Sequence, residues 1–445
     1  MLEHRVLYVP IGRKTFDLQV GEEYRVKTID WLKMNCSEVY APSEIVTSIE
    51  DLELFLRDMK EVEVDAILYQ SVTFADGEFI QTIINERSEH VVVWSVREPS
   101  VGGRLRLNSL TGGNSTCNVL KNHQHPFSFL FGNPDEPKLH QNLLKTLKVQ
   151  SVIRDLNKLK IGVIGDHPPG FFFSDTKEEE LESVFGVMTD QLDLKKAFKE
   201  CVHLPESEWM PAVDIAEKYV HGINRNEETV QRFAQFFTYV QKYIDTNNIR
   251  ALAIRCWPDF FNELGAAACT VLSQFTELKV PSSCESDIHG ALSMYILQQL
   301  SEGEAPYLGD LVHVNETNNS VVFWHCGAGA YSLAHPKTGA KAGVHPNRKL
   351  GLTMEFGLKP GKVTIFRVGY TPQGYRMIIF DGEALDTKQP FNGTSVEVQL
   401  SKDVSDSLVK LMEEGVEPHF ALVYDDVKEE LELLAKRLQL PVVTI

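Results

Sequence analysis

Between residues 5 and 96 the chain alternates short apolar runs with helix-periodic segments, and that alternation leaves few folds open. Arg5–Ile11 (RVLYVPI), Ala66–Tyr69 (AILY) and Val91–Val96 (VVVWSV) are apolar at odd and even positions alike. Such runs mark strands covered on both faces. Asp51–Glu61 and Gly77–Glu86 carry apolar residues at helical spacing. A β-α-β-α-β order of this kind implies a parallel sheet clothed by helices. No GxGxxG follows the first strand, so dinucleotide binding is not indicated.

A second unit of the same texture begins near Lys158. Lys160–Gly165 and Ala251–Cys256 read as strands, and Glu227–Tyr243 and Leu264–Phe275 as helices. Its functional residues are expected beyond the carboxyl ends of its strands. From about Val312 the pattern changes to Val321–His325, Lys362–Tyr370 and Tyr375–Phe380, strand-like runs joined by turn-rich links. Two helices, Val404–Glu414 and Asp426–Arg437, precede the apolar end. The expected fold is α/β, with two doubly wound, Rossmann-like parallel-sheet domains, 1–157 and 158–311. A mostly antiparallel, β-barrel-like domain, 312–445, follows.

Charge narrows the partners. Lys and Arg total 44 against 62 Asp and Glu, a net −18. Nucleic acids and anionic membranes need a basic face, so neither is an expected partner. Seven scattered cysteines without a CxxC fit reduced thiols better than a disulfide framework. The first residues enter a strand without a signal-peptide pattern, and no apolar run approaches a membrane span. A cytoplasmic location is expected.

Four segments carry candidate chemistry. In Cys284-Glu285-Ser286-Asp287-Ile288-His289, two carboxylates and a histidine precede an apolar helix. Ser286 or Asp287 also reads as that helix's N-cap. Asp310 sits between apolar neighbours, where a turn aspartate is the plain reading. Trp324-His325-Cys326-Gly327 ends an apolar strand, and His419 opens another. Cys326 as a hydrolase nucleophile has no evident partner to lower its pKa. Taken together, two carboxylates and one or two imidazoles make a hard O/N site suited to Mn²⁺, Mg²⁺ or Co²⁺.

In order and spacing these segments resemble the L-fucose isomerase and L-arabinose isomerase superfamily. The run from Cys284 to Met294 is similar to its first metal-carboxylate motif, and Asp310 follows Glu285 by 25 residues, as the second carboxylate does. His325 falls where arabinose isomerases carry a histidine ligand. His419, with Ala421–Val427 behind it, matches the C-terminal histidine. Arg104, Arg106, Asn108 and Ser109, with Gly112, resemble a segment that in these oligomers reaches toward a neighbouring active site. Lys160–Gly165 and Pro169-Gly170-Phe171 resemble the start of the second domain. The chain is shorter than typical members, and its second carboxylate is Asp, as in fucose isomerases.

The resemblance implies a metal-dependent aldose–ketose isomerase acting on a hexose or pentose through an ene-diol. Its cofactor is a divalent metal, Mn²⁺ first, held by Glu285, Asp310, His419 and His325. Glu285 and Asp310 are the expected acid/base pair. His325, Asp287, His289, Trp324, Arg104 and Asn108 are expected to contact the sugar. A homo-oligomer, trimer or hexamer, with sites at subunit interfaces goes with it. Two alternatives stand beside this reading. One is an isomerase of an anionic modified sugar of the sulfoquinovose type, its charge met by Arg104 and Arg106 with His123 and His125. The other is a non-catalytic sugar-binding protein.

Overall fold

The computed structural model describes residues 4–445. Two compact units divide the chain, one ending at Arg154 and the other running from Asp155 to Ile445.

The first unit holds strands β1 (Arg5–Ile11), β2 (Glu38–Tyr40), β3 (Ala66–Ser71), β4 (Val91–Ser95) and β5 (Phe127–Phe131). They pair in parallel in the order β2-β1-β3-β4-β5, a doubly wound sheet. Side-chain alternation explains why the runs are apolar throughout. Leu7, Val9 and Ile11 pack into one core layer, and Val6 and Tyr8 into the other. Helices start where short polar side chains cap them: Asp17 accepts from Val20 N, Ser48 from Asp51 N and Asp76 from Glu78 N.

The second unit repeats this plan and adds a barrel. Its strands are β6 (Lys160–Ile164), β7 (Met188–Leu192), β8 (Val220–His221), β9 (Ala251–Ile254) and β10 (Ser282–Cys284). Then come β11 (Tyr307–Asn315), β12 (Ser320–His325), β13 (Ala340–Gly343), β14 (Thr353–Gly357), β15 (Gly361–Thr371), β16 (Gly374–Ala384), β17 (Thr394–Leu400), β18 (His419–Val423) and β19 (Val442–Thr444). Four form a parallel sheet ordered β10-β9-β6-β7. Six antiparallel strands, β16-β15-β18-β11-β12-β17, close on themselves through β16–β17. Strands β19, β14, β13 and β8 extend that sheet, some of them in parallel.

The helix Ile288–Leu300 joins sheet to barrel. It is buried on nearly every side and touches β9, β10, β15 and β18. A helix apolar all round belongs in an interior, and this one carries no charge between its ends.

Barrel closure depends on Gly382, where β16 meets both β15 and β17. A Cβ there would lie 2.4 Å from the carbonyl oxygen of Gln399. Gly382→Ala is therefore expected to cost about 1–3 kcal/mol through forced backbone movement, read as a lowered thermal midpoint. An unchanged melt would show that closure tolerates the methyl group.

Candidate active site

The carboxyl ends of β6, β9 and β10 converge on one turn. Leaving β10, Glu285 and Ser286 both take left-handed backbone, with φ of +60° and +54°. That conformation is uncommon outside glycine and persists only where the surroundings hold it. Here Ser286 N donates to Ile254 O at the end of β9, and Ser286 Oγ donates to Gly165 O just past β6. The turn is clipped to both neighbouring strands, and it points the Glu285 side chain toward the barrel.

The barrel supplies the other groups by register. In antiparallel pairing Asp310 of β11 lies directly opposite His419 of β18 on one side and Trp324 of β12 on the other. Directly opposed residues share a face. Glu285 Oε2 is 3.1 Å from His419 Nε2, and Asp310 Oδ1 is 3.6 Å from the same nitrogen. Ligand-type atoms of Asp310, His325 and His419 all lie within 4.8 Å of one another.

Behind His419 stands a buried support. His419 Nδ1 is 2.8 Å from Asp287 Oδ2. Asp287 also accepts from Gly290 N, as the N-cap of the helix Ile288–Leu300, and from both terminal nitrogens of Arg367. These bonds use the lone pairs of the carboxylate. Gly290 makes room for them, since a Cβ there would sit 2.5 Å from Asp287 Oδ2.

Exposure separates the roles. The side chains of Asp287 and Arg367 are 0 % exposed and His419 1 %, whereas Glu285 and Asp310 keep 16 % and 31 %. Burial alone would lower the His419 pKa, but its hydrogen bonds to Asp287 and Glu285 raise it to about 10. Burial would raise Glu285, yet His419 and His325, with the Trp257 indole, hold it below the ordinary carboxylate value. Burial likewise opposes ionisation of Asp287, and Arg367 and His419 overcome it. Trp257 Nε1 donates to Glu285 Oε1 at 3.0 Å. Phe171 packs edge-on against Trp257, and Phe173 edge-on against His419, giving the cluster an aromatic wall.

His325 is buried beside this group. Its Nδ1 accepts the N–H of Cys326 at 3.0 Å, and its Nε2 is buried without a partner among the described residues. Burial lowers its pKa, so the ring is neutral. With Nδ1 accepting, the proton of the neutral ring sits on Nε2.

The other residues expected to contact the sugar carry bonds of their own. Asp287, expected to touch the sugar, is sealed and saturated; the N-cap reading describes it. His289 is also sealed, with Nε2 near Thr176 Oγ1 and Tyr375 OH at 3.1 and 3.3 Å and its pKa lowered by burial to about 4. Trp324 donates its indole N–H to Asn392 O. Arg104 and Asn108 belong to the first unit. There Arg104 donates to Thr15 O, and Asn108 precedes the helix Ser109–Asn122 in left-handed backbone. Arg106 is paired with Asp17, and His125 Nε2 contacts Glu89 O. Burial pushes the Cys326 thiol well up, against a nucleophilic role.

Sequence reading missed Arg367 and the clip made by Ser286. A lone charge inside the apolar run Val363–Val368 is the signal that marks Arg367.

No family model matches the chain. Curated relatives do, along nearly the whole of it. The sulfoquinovose isomerase of Priestia megaterium is 64 % identical over 435 residues, 98 % of each chain. That of Alkalicoccus urumqiensis is 58 % identical over 440 residues, 99 % of each. The chain belongs to the sulfoquinovose isomerase family. The sulfoquinovose isomerase of Clostridium sp. strain MSTE9, at 38 % identity over 445 residues, extends the likeness across 99 % of both chains. Membership in this isomerase family makes the chain an enzyme and removes the non-catalytic sugar binder. No helix among the described residues is long and apolar enough to cross a membrane.

Proposed function

We propose that this chain interconverts sulfoquinovose and its ketose, sulfofructose. The neutral hexose or pentose, the first expectation from sequence, gives way to the anionic sugar that was its alternative, because each of these relatives is a sulfoquinovose isomerase. The observation that carries the reaction class is the convergence of Glu285, from the turn after β10, with Asp310 of β11 and His419 of β18.

The donor set fits a divalent cation. Three carboxylates, Glu285, Asp287 and Asp310, crowd a region where, among the described residues, the buried permanent cation is Arg367. Were His419 to give up its Nε2 proton to an ion, the bond to Asp287 would keep the remaining proton on Nδ1, the arrangement in which a ligating histidine is oriented from behind. Glu285, Asp310 and His419 would hold the ion, Mn²⁺ first. When bound, it would polarise the sugar carbonyl as a Lewis acid. His325 fits better as a donor from Nε2 to a substrate oxygen than as a fourth ligand, since ligation there would forfeit the Cys326 bond. Cytoplasmic location and an assembly that completes each site from a neighbour belong to the same reading.

Aldose–ketose exchange moves one proton between C1 and C2 and another between O1 and O2. Glu285, held ionised and oriented by Trp257, removes the carbon-bound proton. Asp310, facing the same point from β11, serves the second transfer, giving an ene-diol that collapses to the other sugar. Phe171, Phe173 and Trp257 keep water off that face.

Dialysis against a chelator is expected to abolish turnover of sulfoquinovose in a coupled assay, and Mn²⁺ to restore it. His419→Ala is expected to stay inactive after Mn²⁺ is returned while keeping its circular dichroism spectrum. Activity indifferent to chelator would rule the metal out.

A further inference from the structure

We infer that Arg348, on the loop between β13 and β14, recognises the sulfonate of the substrate and sets the enzyme's preference for an anionic sugar. The inference rests on the proposed reaction and adds the residue that would select its substrate.

Its position is the first argument. The Arg348 guanidinium carbon lies 5.6 Å from the centre of the Trp257 ring and 5.7 Å from that of Phe261. The N–H of the same indole is bonded to Glu285. One indole therefore separates the carboxylate that works at C1 and C2 from an exposed guanidinium. In a sulfonated hexose the sulfonate is on C6, at the opposite end of the carbon chain from the reacting atoms. A cation one side chain removed from Glu285 meets that requirement.

Availability is the second. Among the described residues Arg348 rests on two aromatic rings and is paired with no carboxylate, although the chain carries a net charge of −18. The other arginines around the cluster are committed, Arg255 to Asp259 and Arg367 to Asp287. Arg106, one of the cations that sequence suggested for this task, is bound to Asp17. An acidic protein repels a sulfonate overall, so capture needs a local, unspent, planar donor. Guanidinium offers the paired N–H groups that suit a tetrahedral oxyanion.

Preorganisation is the third. His345 Nδ1 accepts the backbone N–H groups of Asn347 and Arg348, at 3.3 and 3.2 Å. Its ring meets Phe261 edge-on, and Gly351 O accepts from Ala267 N. The loop is thus anchored to the segment that follows β9, which carries Trp257. Burial, with His325 and Arg348 close by, lowers the His345 pKa to about 4, so the ring supports the loop as a neutral group.

The test compares wild type, R348A, R348K and R104A, all loaded with Mn²⁺. Turnover of sulfoquinovose is measured, together with calorimetric binding of two non-isomerisable alditols, 6-deoxy-6-sulfoglucitol and glucitol. R348A is expected to raise KM for sulfoquinovose by about 30-fold with kcat changed less than about threefold, and to weaken sulfoglucitol binding by a similar factor. Glucitol affinity should move little, and R348K should recover part of the loss. The assignment is overturned if R348A weakens both alditols alike, if it weakens neither, or if R104A alone reproduces the effect. Wild-type enzyme that binds sulfoglucitol selectively but does not convert sulfoquinovose would sink the proposed reaction and leave the role of Arg348 standing.

Discussion

Glu285→Gln is expected to reduce kcat/KM for sulfoquinovose by about 10⁴-fold or more while the protein melts within a few degrees of wild type. The amide keeps the shape of the side chain and still accepts from Trp257, whose bond is to Oε1. It cannot take up a proton, and it weakens the anionic pole facing His419. General acid–base catalysis by a positioned side chain contributes about 10²–10⁴-fold, and loss of a metal ligand adds to that. A coupled assay beside a circular dichroism melt decides the matter. A folded variant retaining several per cent of wild-type activity would remove Glu285 from the reaction.

The second large effect is expected at Arg367, which never meets the sugar. Its guanidinium holds a carboxylate that has no exposure at all. Arg367→Leu would leave Asp287 charged in the interior with only His419 and a backbone N–H to offset it. Breaking a buried pair from one side costs about 3–5 kcal/mol. A clear drop in the denaturation midpoint should follow. Replacing Asp287 by Leu as well should recover part of it, because the stranded charge is gone. The double variant would still be a poor enzyme, with His419 unsupported and Mn²⁺ affinity lower by about 10–100-fold in equilibrium dialysis. Strict additivity of the two substitutions would mean that the pair is not coupled.

Much of the architecture was legible because periodicity is local. β1 spans Arg5–Ile11 and the helix Gly77–Glu86 begins and ends where the apolar spacing says. The change from helix-separated strands to turn-separated ones announced the barrel. Long helices of low amphipathicity, such as Leu18–Asn35 and Pro137–Leu156, left little mark in the pattern.

The site was legible as an order of residue types, and less so as a set of contacts. Glu285, Asp310 and His419 converge as expected in the described chain, yet Asp287 and His289, adjacent to Glu285 in sequence, turn into the interior. The reason is the left-handed turn at Glu285 and Ser286. It sends one side chain out and the next carboxylate in, a reversal no spacing rule anticipates. Arg348 is nearly as hard to find, because its relation to Glu285 passes through Trp257, far away in sequence.

The opposition of Asp310 and His419 across β11 and β18 has a consequence for assembly. Side chains alternate faces along a strand, so a slip of one residue between these strands would turn one partner outward. A misregistered barrel can be compact and well hydrogen-bonded and still be inert. The proposed reacting centre would thus act as a parity check on folding: specific activity per folded molecule would report the fraction of chains whose strands closed in the native register, a defect that far-ultraviolet spectra would pass unseen.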